Sequence, residues 1–238
     1  MALPVFYYPP VYQEASNLLL EGDIVKHIVQ VLRMKSGEQL QLTDGKGTSA
    51  LATILHTSKK SCEVRLSDIQ KLPQPPTRFC LAIAFTKNAS RNEWLLEKAT
   101  ELGASVIQPL MTHRTERVHS KEERWQNILV SAMLQSQQYY LPVLEKPKEL
   151  KTVVIELKMY EQKFIAHCEK ERPRAALSRL LQPQKNTCVL IGPEGDFTPE
   201  EIETAMDNGF EGIDLGNNRL RTETAAITVC AYFKLMNP

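Results

Sequence analysis

The chain has 238 residues, 24% of them charged and 42% hydrophobic, and its 29 Lys and Arg against 28 Asp and Glu leave a formal net charge of +1. That length and composition describe one large globular domain or two modest ones, not a disordered chain. The near-neutral balance excludes indiscriminate binding of nucleic acid through bulk charge, so any such binding must come from local patches. No apolar run approaches membrane-spanning length, and the segment 1–10 has neither the basic start nor the long apolar core of a signal peptide, which predicts a cytoplasmic protein.

In chain order, Asp23 followed by Ile24, Ile28, Val31 and Leu32 predicts one short helix with Asp23 as N-cap. Gln39 to Thr43, Leu51 to Leu55 and Cys62 to Leu66 alternate apolar and polar residues, and Asp44-Gly45-Lys46-Gly47 is a turn. Short alternating strands joined in this way predict a small β-barrel. Pro73-Gln74-Pro75-Pro76 is a stiff, extended boundary and divides the chain into domains 1–72 and 73–238. Beyond it the pattern changes. Phe79 to Phe85 predicts a strand, Ser90 to Leu102 a helix closed by Gly103, and Val106 to Leu110 a strand. Glu122 to Gln138 predicts a helix with Trp125, Ile128, Leu129, Ala132 and Met133 on its apolar face, and Phe164 to Cys168 another strand. This alternation predicts an α/β domain with a parallel sheet.

Two blocks near the C-terminus carry the most information. Thr187 to Ile191 reads as a buried strand that ends at Gly192-Pro193-Glu194-Gly195-Asp196. Thr198 is then an N-cap, Pro199 a first helical residue and Glu201 the partner of a capping box, with the helix stopping at Asn208-Gly209. Phe210 to Leu215 is the next strand, followed by Gly216-Asn217-Asn218-Arg219-Leu220-Arg221-Thr222-Glu223-Thr224 and a final apolar helix to about Met236, which is either core or a dimer face. Small residues, backbone amides and charged side chains thus gather at the carboxyl ends of two strands, expected to be adjacent, where open α/β sheets bind ligands. The five cysteines (Cys62, Cys80, Cys168, Cys188, Cys230) are odd in number and contain no C-x-x-C pair, so reduced thiols are expected. His27, His56, His113, His119 and His167 show no ligand spacing, and no metal is expected.

These blocks resemble the RsmE family, the 16S ribosomal RNA uracil-N3 methyltransferases of the knotted SPOUT superfamily. The family carries a GPEGG-like loop, here Gly192 to Asp196, and an LG-x-x-(I)LRTETA loop, here Leu215 to Ala225. His27 to Lys35 is similar to its H-x-x-x-VLR segment, Asp44 to Gly47 to its DG-x-G turn, and Glu97 to Gly103 to its K-x-x-ELG helix. Arg114 falls where the family keeps an arginine. The chain departs from the pattern at Asp196, which stands where a second glycine is usual, at Leu134 to Gln138, and at Arg219, which replaces an apolar residue.

The resemblance implies a SPOUT domain with a C-terminal trefoil knot behind a PUA-like RNA-binding barrel. It also implies S-adenosylmethionine (SAM) as methyl donor, the small ribosomal subunit as partner, and a homodimer. Ala166, His167, Gly192, Glu194, Gly195, Leu215, Gly216, Asn217, Leu220 and Thr224 are the expected cofactor residues. Arg221 is expected to stabilise charge on the uracil carbonyls or to hold a phosphate, its alternative being an ion pair with Glu223 or Glu194. Glu194 and Glu223 are read either as the base that takes the N3 proton or as loop braces. Glu97 and Lys98 read as a helix-surface pair. Arg33, Lys35, Lys87, Asn92 and Arg114 are the expected RNA contacts. Lys59, Lys60, Arg91, His113 and Arg117 are further cationic candidates, each equally read as a solvated surface group. Two other readings share the motifs: a related enzyme acting on another base or a ribose 2′-OH, and an inactive RNA-binding protein.

Overall fold

The computed structural model describes residues 3–10, 12, 15–115 and 122–238. The chain forms two compact units. One comprises Met1–Gln74 with Met133–Leu141, the other Pro75–Ala132 with Pro142–Pro238.

The first unit is a five-stranded sheet of β1 (Val5–Tyr7), β2 (Asn17–Glu21), β3 (Gln39–Thr43), β4 (Thr48–Thr57) and β5 (Ser61–Lys71), in the order β1-β3-β4-β5-β2. Every second residue of β5, from Cys62 through Val64 to Leu66, is buried, as are Ala50, Ala52 and Ile54 of β4. This period-2 pattern is what packs one sheet face onto a shared core with Leu20, Leu40 and Leu42. Register shifts between Ser49 and Leu51 and between Ile54 and His56 mark irregularities that increase local twist. The Asp44 carboxylate accepts the amides of Lys46 and Thr48 at 2.7 and 2.9 Å and fixes the turn between β3 and β4. Gly47 has φ +88°, and a Cβ there would overlap the Tyr140 ring, so only glycine lets the 139–141 segment lie against this turn.

Asp23 is not a cap. Gly22 occupies that position, and Asp23 opens α1 (Asp23–Lys26) with an ion pair to Lys26 at 2.7 Å. A π turn over His27–Val31 follows. Its extra residue rotates what comes next off the buried face, so Val31 and Leu32 are 67% and 45% exposed instead of packing beside Ile28. β1 and β2 have no counterpart in the sequence reading. Both are edge strands, and Pro4, Pro9 and Pro10 flank β1 where a missing N–H is tolerated.

The second unit contains β6 (Phe79–Ile83), α2 (Ala89–Glu101), β7 (Val106–Met111), α3 (Glu122–Gln135, whose residues from Met133 on belong to the first unit), β8 (Val143–Leu144), β9 (Lys148–Glu149) and α4 (Leu150–Glu156). These are followed by β10 (Gln162–Ala166), β11 (Ala175–Ala176), α5 (Leu177–Leu180), β12 (Thr187–Ile191), α6 (Pro199–Asp207), β13 (Glu211–Asp214) and α7 (Thr222–Met236). The strands pair in parallel in the order β11-β13-β10-β12-β6-β7-β8, with β9 beside β7. β6 and β12 are buried at every position, as expected of strands covered on both faces. Cys80, Ala82, Cys188 and Leu190 join a core cluster with residues of α4 and α6. α7 packs on α2, β6 and β12, with Phe233 stacked on Phe79 at 4.7 Å. Among the described residues no helix is long and apolar enough to cross a membrane.

The expected Thr198 cap, Pro199 and Glu201 capping box are all present at α6, an arrangement that contributes about 1 kcal/mol to helix stability. α3 stops three residues earlier than the sequence pattern suggests. The larger correction concerns topology: β12 and β13 are not neighbours. β10 lies between them, pairing Ala166 with Ile191 on one side and Ile213 on the other.

Candidate cofactor site

The carboxyl ends of β10, β12 and β13 open into a cavity of about 460 Å³. Of the expected cofactor residues, Ala166, His167, Gly192, Glu194, Leu215, Gly216 and Leu220 line it, together with Arg221. Gly216 has φ +108°, a backbone state that admits little but glycine, so its residue type is set by the turn. Asn217 instead lines an adjoining recess with Cys168, Arg174 and Arg219. Gly195 is turned away: its carbonyl accepts Arg114 Nη1 at 2.6 Å, and a Cβ there would meet Arg114 Cδ at 3.2 Å. Thr224 is exposed on the first turn of α7.

Charge at the cavity mouth is arranged around a residue that the sequence offers only as a cationic candidate or a solvated surface group. Arg91, in the first turn of α2, lines the cavity and reaches Glu194 at 3.0 Å and Glu223 at 3.5 Å. One guanidinium therefore joins three separate segments. Arg221 forms no ion pair with either carboxylate, so the ion-pair alternative expected for it falls to Arg91 instead. Arg221 is exposed and faces the cavity with its donors uncommitted among the described residues. Sequence gives little sign of the Arg91 clamp, because its first partner lies 103 residues away.

Among the described residues, three buried side-chain polar atoms have no protein partner: Glu223 Oε2 and both ring nitrogens of His167. His167 is 4% exposed and Glu223 8%. Gly212 on β13 leaves the space that the imidazole fills, since a Cβ there would lie 2.8 Å from Nε2. Burial, and then the Arg174 guanidinium, push the imidazole below its ordinary pKa of 6.5, so the ring is neutral at pH 7. A neutral imidazole carries one donor and one acceptor. Buried polar groups are normally paired, so this ring is a ligand-seeking group at the end of β10.

The loop after β12 is tied down from several sides. Arg114 holds the carbonyls of Gly195 and Phe197. Glu201 accepts the amides of Thr198 and His113 at 2.9 and 2.8 Å. Asp196 accepts the amides of Phe197 and Cys168. Arg114 is thus a loop brace as well as an exposed cation.

The expected base contact at Asn92 needs correction. Asn92 is 1% exposed, and its amide bonds the Thr86 backbone N–H at 3.0 Å and carbonyl at 2.7 Å, which leaves it no reach to a ligand. Lys87, Arg33 and Lys35 are exposed, as are Lys59 and Lys60. Arg117 lies outside the described residues. Glu97 and Lys98 form the expected surface pair at 2.7 Å, extended to Glu101 at 2.9 Å. Four cysteines are buried free thiols and Cys168 is an exposed one. No cluster of three or more potential metal-binding His, Cys, Asp or Glu groups occurs among the described residues.

An RNA methyltransferase domain matches residues 73–234, and an RNA methyltransferase PUA domain matches residues 20–67. Ribosomal RNA small subunit methyltransferase E of Rickettsia conorii is 32% identical over 227 residues, covering 94% of this chain and 91% of the relative. A probable rRNA-methyltransferase from Porphyromonas gingivalis superposes with a TM-score of 0.91 at 36% identity, covering 99% of this chain and 98% of that one. A putative methyltransferase from Legionella pneumophila, solved in complex with SAM, superposes with a TM-score of 0.86 at 33% identity over 99% and 98% of the two chains. The PUA match thus falls within the five-stranded unit, and the methyltransferase match takes in nearly all of the larger one. With domain matches over most of its length and a 32% identical relative covered almost end to end, this chain belongs to the ribosomal RNA small subunit methyltransferase E family of RNA methyltransferases.

Proposed function

We propose that the protein methylates N3 of a uracil in 16S rRNA of the small ribosomal subunit, using SAM, in the cytoplasm and as a homodimer. The observation that carries this reading is the single cavity lined by both motif loops, with an uncommitted arginine and a partnerless neutral histidine. A volume near 460 Å³ suits a nucleoside-sized ligand. The lining fits SAM by type: Ile191, Leu215 and Leu220 offer apolar surface, and His167 offers a donor and an acceptor that the protein leaves unused. SAM supplies an activated sulfonium methyl, so the protein's task is chiefly alignment and charge management.

Arg221, which lines the cavity, is assigned to neutralise charge that develops on the uracil carbonyls. Arg91 holds Glu194 and Glu223 between the two loops. Each carboxylate meets Arg91 through one oxygen; Glu194 lines the cavity and Glu223 keeps a buried Oε2 without a partner, so removal of the N3 proton is assigned to this pair. The PUA domain, with exposed Arg33 and Lys35, and Lys87 and Arg114 of the larger domain, are proposed to contact the RNA backbone. Exposed Tyr232, Leu235 and Met236 on α7 support the homodimer. The position of β12 and β13 on opposite sides of β10, with α7 returning to β6 and β12, supports the trefoil knot.

The test is direct. Small subunits from a strain lacking the gene are incubated with the protein and SAM carrying a labelled methyl group, and the nucleosides are analysed by mass spectrometry. The expected product is N3-methyluridine. Label on a ribose 2′-oxygen, or no label at all, would overturn the reading.

A further inference from the structure

Asp196 has φ 63°, in the left-handed region that most side chains avoid. Aspartate tolerates it because a short carboxylate can bond nearby backbone. Here Oδ1 accepts the Phe197 amide at 2.8 Å, and Oδ2 accepts the Cys168 amide at 2.7 Å. The second bond crosses between elements. Cys168 follows His167 beyond the end of β10, whereas Asp196 lies in the loop after β12. Those strands are paired in register as far as Ala166 and Ile191. Past that pair the two chains part, and the Asp196 carboxylate joins them again. Both joined segments line the cavity.

We propose that Asp196 is a positioning residue: its carboxylate fastens the tip of β10 to the loop of β12, and so sets the wall against which the methyl donor binds. An ionised acceptor makes a stronger bond to an amide than a neutral one does. A wall fixed before binding removes an ordering cost from the ligand's affinity. Both oxygens already accept amides within the protein, so the residue acts through the wall and not on the reacting atoms. The inference rests on the donor-site reading given above.

Two variants of the full chain separate the possibilities. Asp196→Gly accepts the backbone angle and deletes the carboxylate. Asp196→Asn also accepts the angle and keeps one oxygen for the Cys168 amide. In the protein alone, exchange of the Cys168 amide hydrogen should become about tenfold faster in the glycine variant, as expected for loss of one charge-assisted bond. SAM affinity measured by calorimetry should fall by about the same factor, while kcat at saturating SAM stays within about twofold. The asparagine variant should recover both exchange and affinity to within about threefold. Unchanged exchange and affinity in the glycine variant would overturn the proposal. So would a fall in kcat at unchanged affinity, which would place Asp196 at the chemistry itself. Failure of the donor reading looks different: the unaltered protein would bind no SAM, while the exchange contrast, read without ligand, would persist.

Discussion

The two loops that line the cavity are held in opposite ways. The loop after β12, from Gly192 to Thr198, is bonded to β10 through Asp196, to the end of β7 through Arg114 and Glu201, and to α2 through Arg91. The loop after β13, from Leu215 to Arg221, is exposed at residues 216–219, and among the described residues its hydrogen bonds are local, from Gly216 N–H to Asp214 Oδ1 at 3.2 Å and from Ala225 N–H to the Arg221 carbonyl at 2.8 Å. One wall is therefore braced to three other elements, and the other is held by local bonds alone. Such a division lets a site keep its geometry on one side and admit a large substrate on the other. Arg91 spans the division, with Glu194 on the fixed wall and Glu223 just beyond the loose one.

The largest effect is expected on the loose wall. Arg221→Ala removes an arginine that, like Arg219 of the same loop, lines the cavity without an ion pair among the described residues, and methyl transfer at saturating substrates should fall by about 100- to 1,000-fold. Because the side chain is exposed and makes no hydrogen bond or ion pair among the described residues, the thermal midpoint should hardly move. Single-turnover kinetics beside a circular-dichroism melt checks both halves. A loss of less than about threefold would mean that the loose wall serves binding alone.

A smaller effect is expected where the walls meet. Arg91→Met keeps the aliphatic stem and deletes the guanidinium, leaving Glu223, 8% exposed, without its cation. The side chain of Arg91 is itself 32% exposed, so solvent screens part of the loss. Stability in urea should fall by about 1–2 kcal/mol. A double-mutant cycle with Glu223→Gln should recover part of that loss, since the neutral amide no longer needs a cation. Unchanged stability in Arg91→Met would break the idea that this residue ties one wall to the other.

How far the sequence reveals this arrangement follows from what sets each feature. α6 is legible because its cap, first-turn proline and capping box are local chemistry at Thr198, Pro199 and Glu201. β6 and β12 are legible as short apolar runs. The cavity-lining residues Gly192, Leu215, Gly216, Leu220 and Arg221 come through the family resemblance of two loops. The insertion of β10 between β12 and β13 is not local, and no periodicity encodes it. Nor does any spacing announce that Arg91 serves Glu194 and Glu223 in place of RNA, or that Asn92 is spent on Thr86. Those pairings exist only after the sheet has brought distant segments together. α1 misleads for a different reason, since one π turn shifts Val31 and Leu32 off a face that a simple helical period would assign them.

The smallest effect concerns the floor between the walls, where His167 follows β10. Its imidazole is buried and held neutral, so its pKa in the folded state lies below the ordinary 6.5 that the unfolded chain retains. Above that value neither state binds the proton, and the contribution to stability is constant. As pH falls through about 6.5 the unfolded chain takes up the proton first, and stability drops by at most about 1.4 kcal/mol per pH unit until the folded-state value is reached. His167→Phe fills a similar volume and cannot titrate. The difference in unfolding free energy between wild type and variant, measured in urea at pH 7.5 and again at pH 5.5, should therefore shift in favour of the variant at the lower pH. An equal difference at both would refute the buried neutral ring. The value at pH 7.5 carries separate information. Because neither ring nitrogen has a protein partner, replacement by an apolar ring should be neutral or mildly stabilising there. A polar ring that contributes nothing to the empty fold, but whose loss weakens SAM binding by about tenfold or more, is retained for the ligand and not for the walls around it.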